Sequence, residues 1–247
     1  MDLGIEGRVA LVMGASKGIG LGIARALAQE GATVAISSRS RERIDEAAAG
    51  INATGFVFDS GDIDAIPQLV AEVEAALGPI DILVTNTGGP PPGADPFAFT
   101  TEQWQAAHRD LILAPLRLIE QVTPGMRERG FGRIVNVSSS SVREPLDSLL
   151  LSTAHRSGTI GMFKTLARQM AADGVTLNTI LPGRIATDRL GPLEAAQKAA
   201  ATEVPAARLG TTDEMGAAAA FLCSQHAGYI TGTTLLVDGG LTRGVTG

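Results

Sequence analysis

The segment SSSSVREPLDSLLLSTAHRSG, Ser138 to Gly158, reads as the wall of a reaction site. A serine run leads through a proline turn into a helical stretch, where Ser152, His155 and Arg156 fall at i, i+3 and i+4 on one broad face. The segment holds no tyrosine, cysteine or lysine. His155 is the only nearby group whose unperturbed pKa lies near neutrality, so it is the candidate acid/base, directly or through a water beside Ser152. Its competing role is helix packing or a subunit contact, because a side chain on this helix need not face a substrate. Ser139 can polarise a carbonyl oxygen, or it can be a turn serine making local backbone bonds. Arg156 cannot shuttle protons but offers a rigid fork of donors to an oxyanion, a ribose or an anionic group. Otherwise it is a surface or interface cation.

A second constellation lies near the N-terminus. VALVMGASKGIGLGIARAL puts Gly14, Gly18 and Gly20 between a strand and a helix in a G-x-x-x-G-x-G spacing. Glycines there let the chain turn sharply and let a pyrophosphate approach the backbone at a helix N-terminus.

These two constellations need a frame that brings them together. Continuous apolar runs start at Arg8, Ala32, Gly55, Asp81, Gly132, Val175 and Thr233, the pattern of strands covered on both faces. Amphipathic helical patterns start near Gly20, Ser40, Ile63, Thr101, Leu149 and Thr212. Thr100 with Gln103 has capping-box spacing, and Thr212 is the expected N-cap of the last helix, ahead of Asp213 and Glu214. The alternation predicts one α/β unit over residues 1–247, a doubly wound parallel sheet with helices on both faces. GGPPPGADP, from Gly88 to Pro96, is a stiff surface loop within that unit.

With those residues in place, the chain resembles the short-chain dehydrogenase/reductase family. The resemblance rests on the glycine turn, Asp59 after the third strand, TNTGG after the fourth, SS after the fifth, Pro182-Gly183 and the ending ITGTTLLVDGG. It covers nearly the whole chain and is nearest to the 3-oxoacyl-acyl-carrier-protein reductase-like members. It implies a seven-stranded Rossmann fold, a nicotinamide cofactor and a homotetramer or homodimer. By the same resemblance Gly14, Ser16, Gly18, Ile19 and Gly20 hold the pyrophosphate. Asp59 meets the adenine, Asn86 and Gly88 lie along the adenosine and ribose, and Pro182, Gly183, Ile185 and Thr187 border the nicotinamide. The family loop N-N-A-G reads Thr85-Asn86-Thr87-Gly88 here.

The family's reactive Asn-Ser-Tyr-Lys set aligns with Leu111, Ser139, Ser152 and Arg156, so only the serine survives. Tyr229 is the sole tyrosine and lies ahead of the last strand, where packing is its expected role. The second strand ends in Ser37, Ser38 and Arg39 with no acid until Glu42, and Lys17 sits in the glycine turn. An acid there would bind ribose hydroxyls and repel a 2′-phosphate, so its absence and the two cations favour NADP(H) over NAD(H). Three readings compete: an NADP(H)-dependent oxidoreductase of carbonyl or alcohol substrates with an altered proton route, a cofactor-binding protein without turnover, and a non-redox isomerase or dehydratase. Arg143, Arg184 and Arg189 lie on loops expected to rim the pocket and hint at an anionic substrate.

Composition narrows the setting. The chain has 247 residues, 45% hydrophobic and 19% charged, with a formal net charge of −6, which argues against nucleic acid as a partner. Its one cysteine, Cys223, excludes an internal disulfide and a multi-cysteine metal site, and His108 and His226 are isolated, so no metal is expected. Charges at Asp2, Glu6 and Arg8 interrupt the start, and the longest apolar run, residues 217–223, is too short for a bilayer. A soluble cytoplasmic protein without a membrane partner is the expectation.

Overall fold

The computed structural model describes residues 1–245. Strands β1 (Val9–Val12), β2 (Thr33–Ser38), β3 (Thr54–Val57), β4 (Ile80–Thr85), β5 (Gly132–Val137), β6 (Val175–Pro182) and β7 (Thr234–Val237) form one sheet in the order β3-β2-β1-β4-β5-β6-β7. Every pairing is parallel. All seven expected strands are present; all but β2 end one to three residues earlier than their apolar runs, and β3 and β4 start one residue sooner.

Helices cover both faces because alternate strand residues point to opposite sides. Ala10 and Val12 of β1 pack with Ile23 and Leu27 of α1 (Gly18–Gln29), Ile44 of α2 (Arg41–Ile51) and Met215 and Ala219 of α8 (Thr212–Cys223). Val9 and Leu11 pack the other way, with Leu69 and Val73 of α3 (Ile66–Leu77), Leu118 and Val122 of α5 (Ala114–Glu128) and Phe163 of α6 (Leu150–Met170). Burying each such Leu, Ile or Val stabilises the fold by about 1.5–3 kcal/mol, so the strand ends are held by two dense layers.

Strand order reverses between β1 and β4, which opens a crevice beyond their C-terminal ends. The crevice is where the glycine turn, the β4 loop and the start of α6 meet. α4 (Thr101–His108) runs into α5 through a π-helical turn, Arg109–Leu113, an insertion that often marks functional positions.

Three expectations need correction. The N-cap of α8 is Thr211, not Thr212: its side chain accepts from Glu214 N–H while the Glu214 side chain accepts from Thr211 N–H. α7 (Leu193–Glu203) was not anticipated, because of its residues only Ala200 is buried and it shows no apolar stripe. Tyr229 does not pack: its side chain is fully exposed, five residues before β7 and thus at the end of the sheet opposite the crevice. The capping box at Thr100 and Gln103 forms as expected. No helix among the described residues is long and apolar enough to cross a membrane.

Candidate functional site

The glycine turn is held from the neighbouring strand. Asn86, just past β4, donates from Nδ2 to the carbonyls of Met13 (3.3 Å) and Gly14 (3.0 Å). Gly14 has φ +59°, and a Cβ on it would lie 2.6 Å from the Asn86 carbonyl. A Cβ on Gly20 would lie 2.6 Å from the Gly14 carbonyl, so both positions require glycine. Asn86 therefore braces the turn, a role its place in the sequence did not reveal.

α1 opens at Gly18 with Lys17 as N-cap, no side-chain cap bond and no acid in its first turn. Its positive end and first-turn N–H groups remain for an anionic guest. Gly14 is exposed at this point, Ser16 is half-buried, and Ile19 packs against the α1 side of the core. These features fit a pyrophosphate. An apolar recess beside the turn is lined by Met13, Phe58, Ile66 and Leu118, with Ser60 and Asn86 at its polar edge. Asp59 stands exposed between Phe58 and Ser60, its carboxylate accepting from Gly61 N–H at 3.0 Å.

The two cations assigned to the 2′-phosphate part company. Arg39 is exposed at the end of β2, next to Ser38, whose hydroxyl reaches the Ser40 carbonyl at 3.4 Å. Lys17 instead joins Asp188 at 2.8 Å, which depresses the Asp188 pKa. That ion pair links the glycine turn to the segment after β6. Thr187 lies there too, with its Cγ2 3.5 Å from a Cβ built on Gly18. Pro182 ends β6, and Gly183 N–H donates to the Val237 carbonyl at 3.0 Å. Ile185 is buried and bridges to Gly210.

Opposite the turn stands the serine wall. Ser152 and Arg156, one helical turn apart on α6, are both buried, and Arg156 Nε donates to Ser152 Oγ at 3.0 Å. Arg156 Nη1 donates to the Val137 carbonyl at 2.8 Å, tying α6 to the end of β5. Burial, and next the Arg189 guanidinium, push the Arg156 pKa down to about 10, so it remains a cation at neutral pH. Ser139 is half-buried at the start of a 3-10 turn, where its Oγ accepts from Ser141 N–H at 3.1 Å. The Ser139 and Ser152 hydroxyls thus each accept through their oxygen and keep their hydrogen free to donate.

His155 lies elsewhere. Its Nδ1 donates to the Leu151 carbonyl at 2.8 Å, and its ring packs against Trp104 (5.4 Å between centroids) and His108 (6.1 Å) on α4. Leu111 sits in the π-helical turn with its carbonyl accepting from Thr159 Oγ1 at 2.5 Å. A mixed recess lies between α5 and α6, lined by Leu111, Pro115, Val137 and Arg156 with the polar Thr85, Asn136 and Thr159. Thr85 Oγ1 donates to Asn136 Oδ1 at 3.1 Å, across paired positions of β4 and β5. Sequence reasoning passed over Thr159, although it stands three residues after Arg156 on the same helix face.

The rim arginines separate as well. Arg184 pairs with Glu203, Arg143 donates to Thr234 Oγ1, and only Arg189 turns to the crevice, donating to the Gly88 carbonyl.

Residues 14–242 match the family model described as Enoyl-(Acyl carrier protein) reductase. The chain belongs to the short-chain dehydrogenase/reductase family. It is 39% identical to nodulation protein G of Azospirillum brasilense, over 95% of this chain and 98% of that one. It is 36% identical to a 3-oxoacyl-[acyl-carrier-protein] reductase of Haemophilus influenzae, over 96% and 99% of the two chains. A solved structure of L-sorbose reductase from Gluconobacter frateurii, complexed with NADPH and L-sorbose, superposes with TM-score 0.92 at 30% identity. That match covers 99% of this chain and 100% of the other.

Proposed function

We propose that this member of the family is an NADP(H)-dependent oxidoreductase acting on a small carbonyl or alcohol substrate, with a serine–arginine wall in place of the phenol acid. The carrying observation is the bond from Arg156 Nε to Ser152 Oγ at 3.0 Å, at the positions that the resemblance assigns to the lysine and tyrosine. Gly14, Ser16, Gly18, Ile19 and Gly20 hold the pyrophosphate and Arg39 meets the 2′-phosphate. Asp59 and Gly88 flank the adenosine, and Pro182, Gly183, Ile185 and Thr187 border the nicotinamide. The bound nicotinamide supplies or accepts the hydride.

The chain's own residues orient and polarise the substrate. A hydroxyl that accepts from a guanidinium is a better donor than an isolated one, so Ser152 and Ser139 together bind the substrate oxygen. Arg156 stabilises negative charge on that oxygen through the electrostatics of a desolvated cation. A serine hydroxyl and an arginine do not release protons at neutral pH, so water delivers the proton. His155, held on the Leu151 carbonyl and against Trp104, is a packing residue in this scheme.

The proposal includes one folded unit over residues 1–247, a cytoplasmic setting and a homotetramer or homodimer. Exposed Leu235 on the edge strand β7, and exposed Tyr229 ahead of that strand, support the last of these. Titration with NADPH and NADH, monitored by nicotinamide fluorescence, tests the cofactor reading. NADPH is expected to bind more tightly, and Gly14→Ala to bind neither. Binding by Gly14→Ala equal to the parent's would contradict the cradle.

A further inference from the structure

Two guanidiniums close on the same point of the crevice. A Cβ built on Gly89 would lie 3.1 Å from Arg156 Nη2 and 2.9 Å from Arg189 Nη2. Neither arginine joins any ion pair among the described residues. The acid nearest to Arg189 in sequence, Asp188, is taken by Lys17. Arg156 is more than nine-tenths buried and uses Nε and Nη1 on Ser152 and Val137, while Nη2 makes no hydrogen bond among the described residues. A desolvated cation beside a second cation is unfavourable unless an anion joins them. A planar guanidinium fork matches a carboxylate in particular.

We propose that the substrate is an oxo acid or hydroxy acid, its carboxylate bound between Arg156 Nη2 and the Arg189 guanidinium beside Gly89. This rests on the oxidoreductase reading, and it adds the charge of the substrate. Ribose hydroxyls are neutral and cannot balance two cations. A phosphate of the cofactor is the other anion within the same chemistry, and the experiment separates the two.

The test is the thermal shift given by pyruvate, acetoacetate and levulinate, each against its neutral amide, with and without saturating NADPH. At least one oxo acid is expected to raise the melting temperature where its amide does not, and to do so still when NADPH is saturating. Arg189→Gln should weaken that acid's apparent Kd at least tenfold and leave the Kd for NADPH unchanged. In turnover, the same variant should raise KM for the acid with little change in kcat, and leave the amide's KM as it was. Because Arg189 is exposed, this variant leaves the buried core untouched. Equal shifts from acids and amides, or shifts that vanish once NADPH is bound, overturn the proposal. Failure of the oxidoreductase reading is distinguishable: it would appear as no NADPH binding, while the anion shift in the cofactor-free protein still reports on the arginine pair.

Discussion

Arg156 and Ser152 form a buried cation–hydroxyl pair one turn apart on α6, with Nε 3.0 Å from Oγ. Ser152→Ala removes the hydroxyl and frees one guanidinium donor. Loss of one such donor to a developing oxyanion costs about 10²–10³ in kcat. Ser152→Ala should therefore fall in that range with an unchanged Kd for NADPH, measured by single-turnover kinetics and fluorescence titration. An unaltered rate would remove Ser152 from the wall.

Arg39 is exposed at the tip of β2, whereas Lys17 is held by Asp188. Discrimination between the two dinucleotides then rests on Arg39. A charge-assisted hydrogen bond contributes about 1.5–3 kcal/mol, so Arg39→Ala should raise the Kd for NADPH on the order of tenfold to a hundredfold. NADH binding should not change, and calorimetric titration of both cofactors checks this.

His155 packs between α4 and α6, so its removal should damage the fold and spare the chemistry. Truncating a buried ring costs about 3 kcal/mol. His155→Ala should lower the urea midpoint accordingly while the pH profile of kcat keeps its shape. A profile that loses a limb near neutrality would restore the histidine as the acid/base.

The Glu214 carboxylate is held down to about 2 by Arg208 and by the Thr211 N–H. A depressed carboxylate stabilises the fold fully above its unfolded pKa near 4.5 and loses that contribution as pH falls toward 2. The pair is nearly half exposed, so solvent screening keeps the effect modest. Glu214→Gln should melt below the parent at pH 7, and the gap should narrow between pH 4.5 and 2.

Much of this was legible in the residues. The apolar runs from Arg8, Asp81 and Val175 read as strands covered on both faces, and Gly14 and Gly20 read as a cradle because glycine lets the chain turn sharply and a pyrophosphate approach the backbone. The rest depended on relations that a linear pattern does not carry. Helical spacing grouped His155 with Ser152 and Arg156, yet a bond to the Leu151 carbonyl and the Trp104 ring turn it toward α4. Lys17 reads as a phosphate ligand until Asp188, 171 residues away, is brought beside it. The Arg156–Arg189 convergence is likewise a product of folding, since nothing in either local segment announces the other.

The most direct test follows deuterium from NADPH labelled at nicotinamide C4 into an oxo acid, detected by mass spectrometry of the product. The account predicts a deuterated hydroxy acid, formed by the parent and suppressed about a hundredfold in Ser152→Ala. NADPH bound tightly with no label transferred to any carbonyl compound would contradict it.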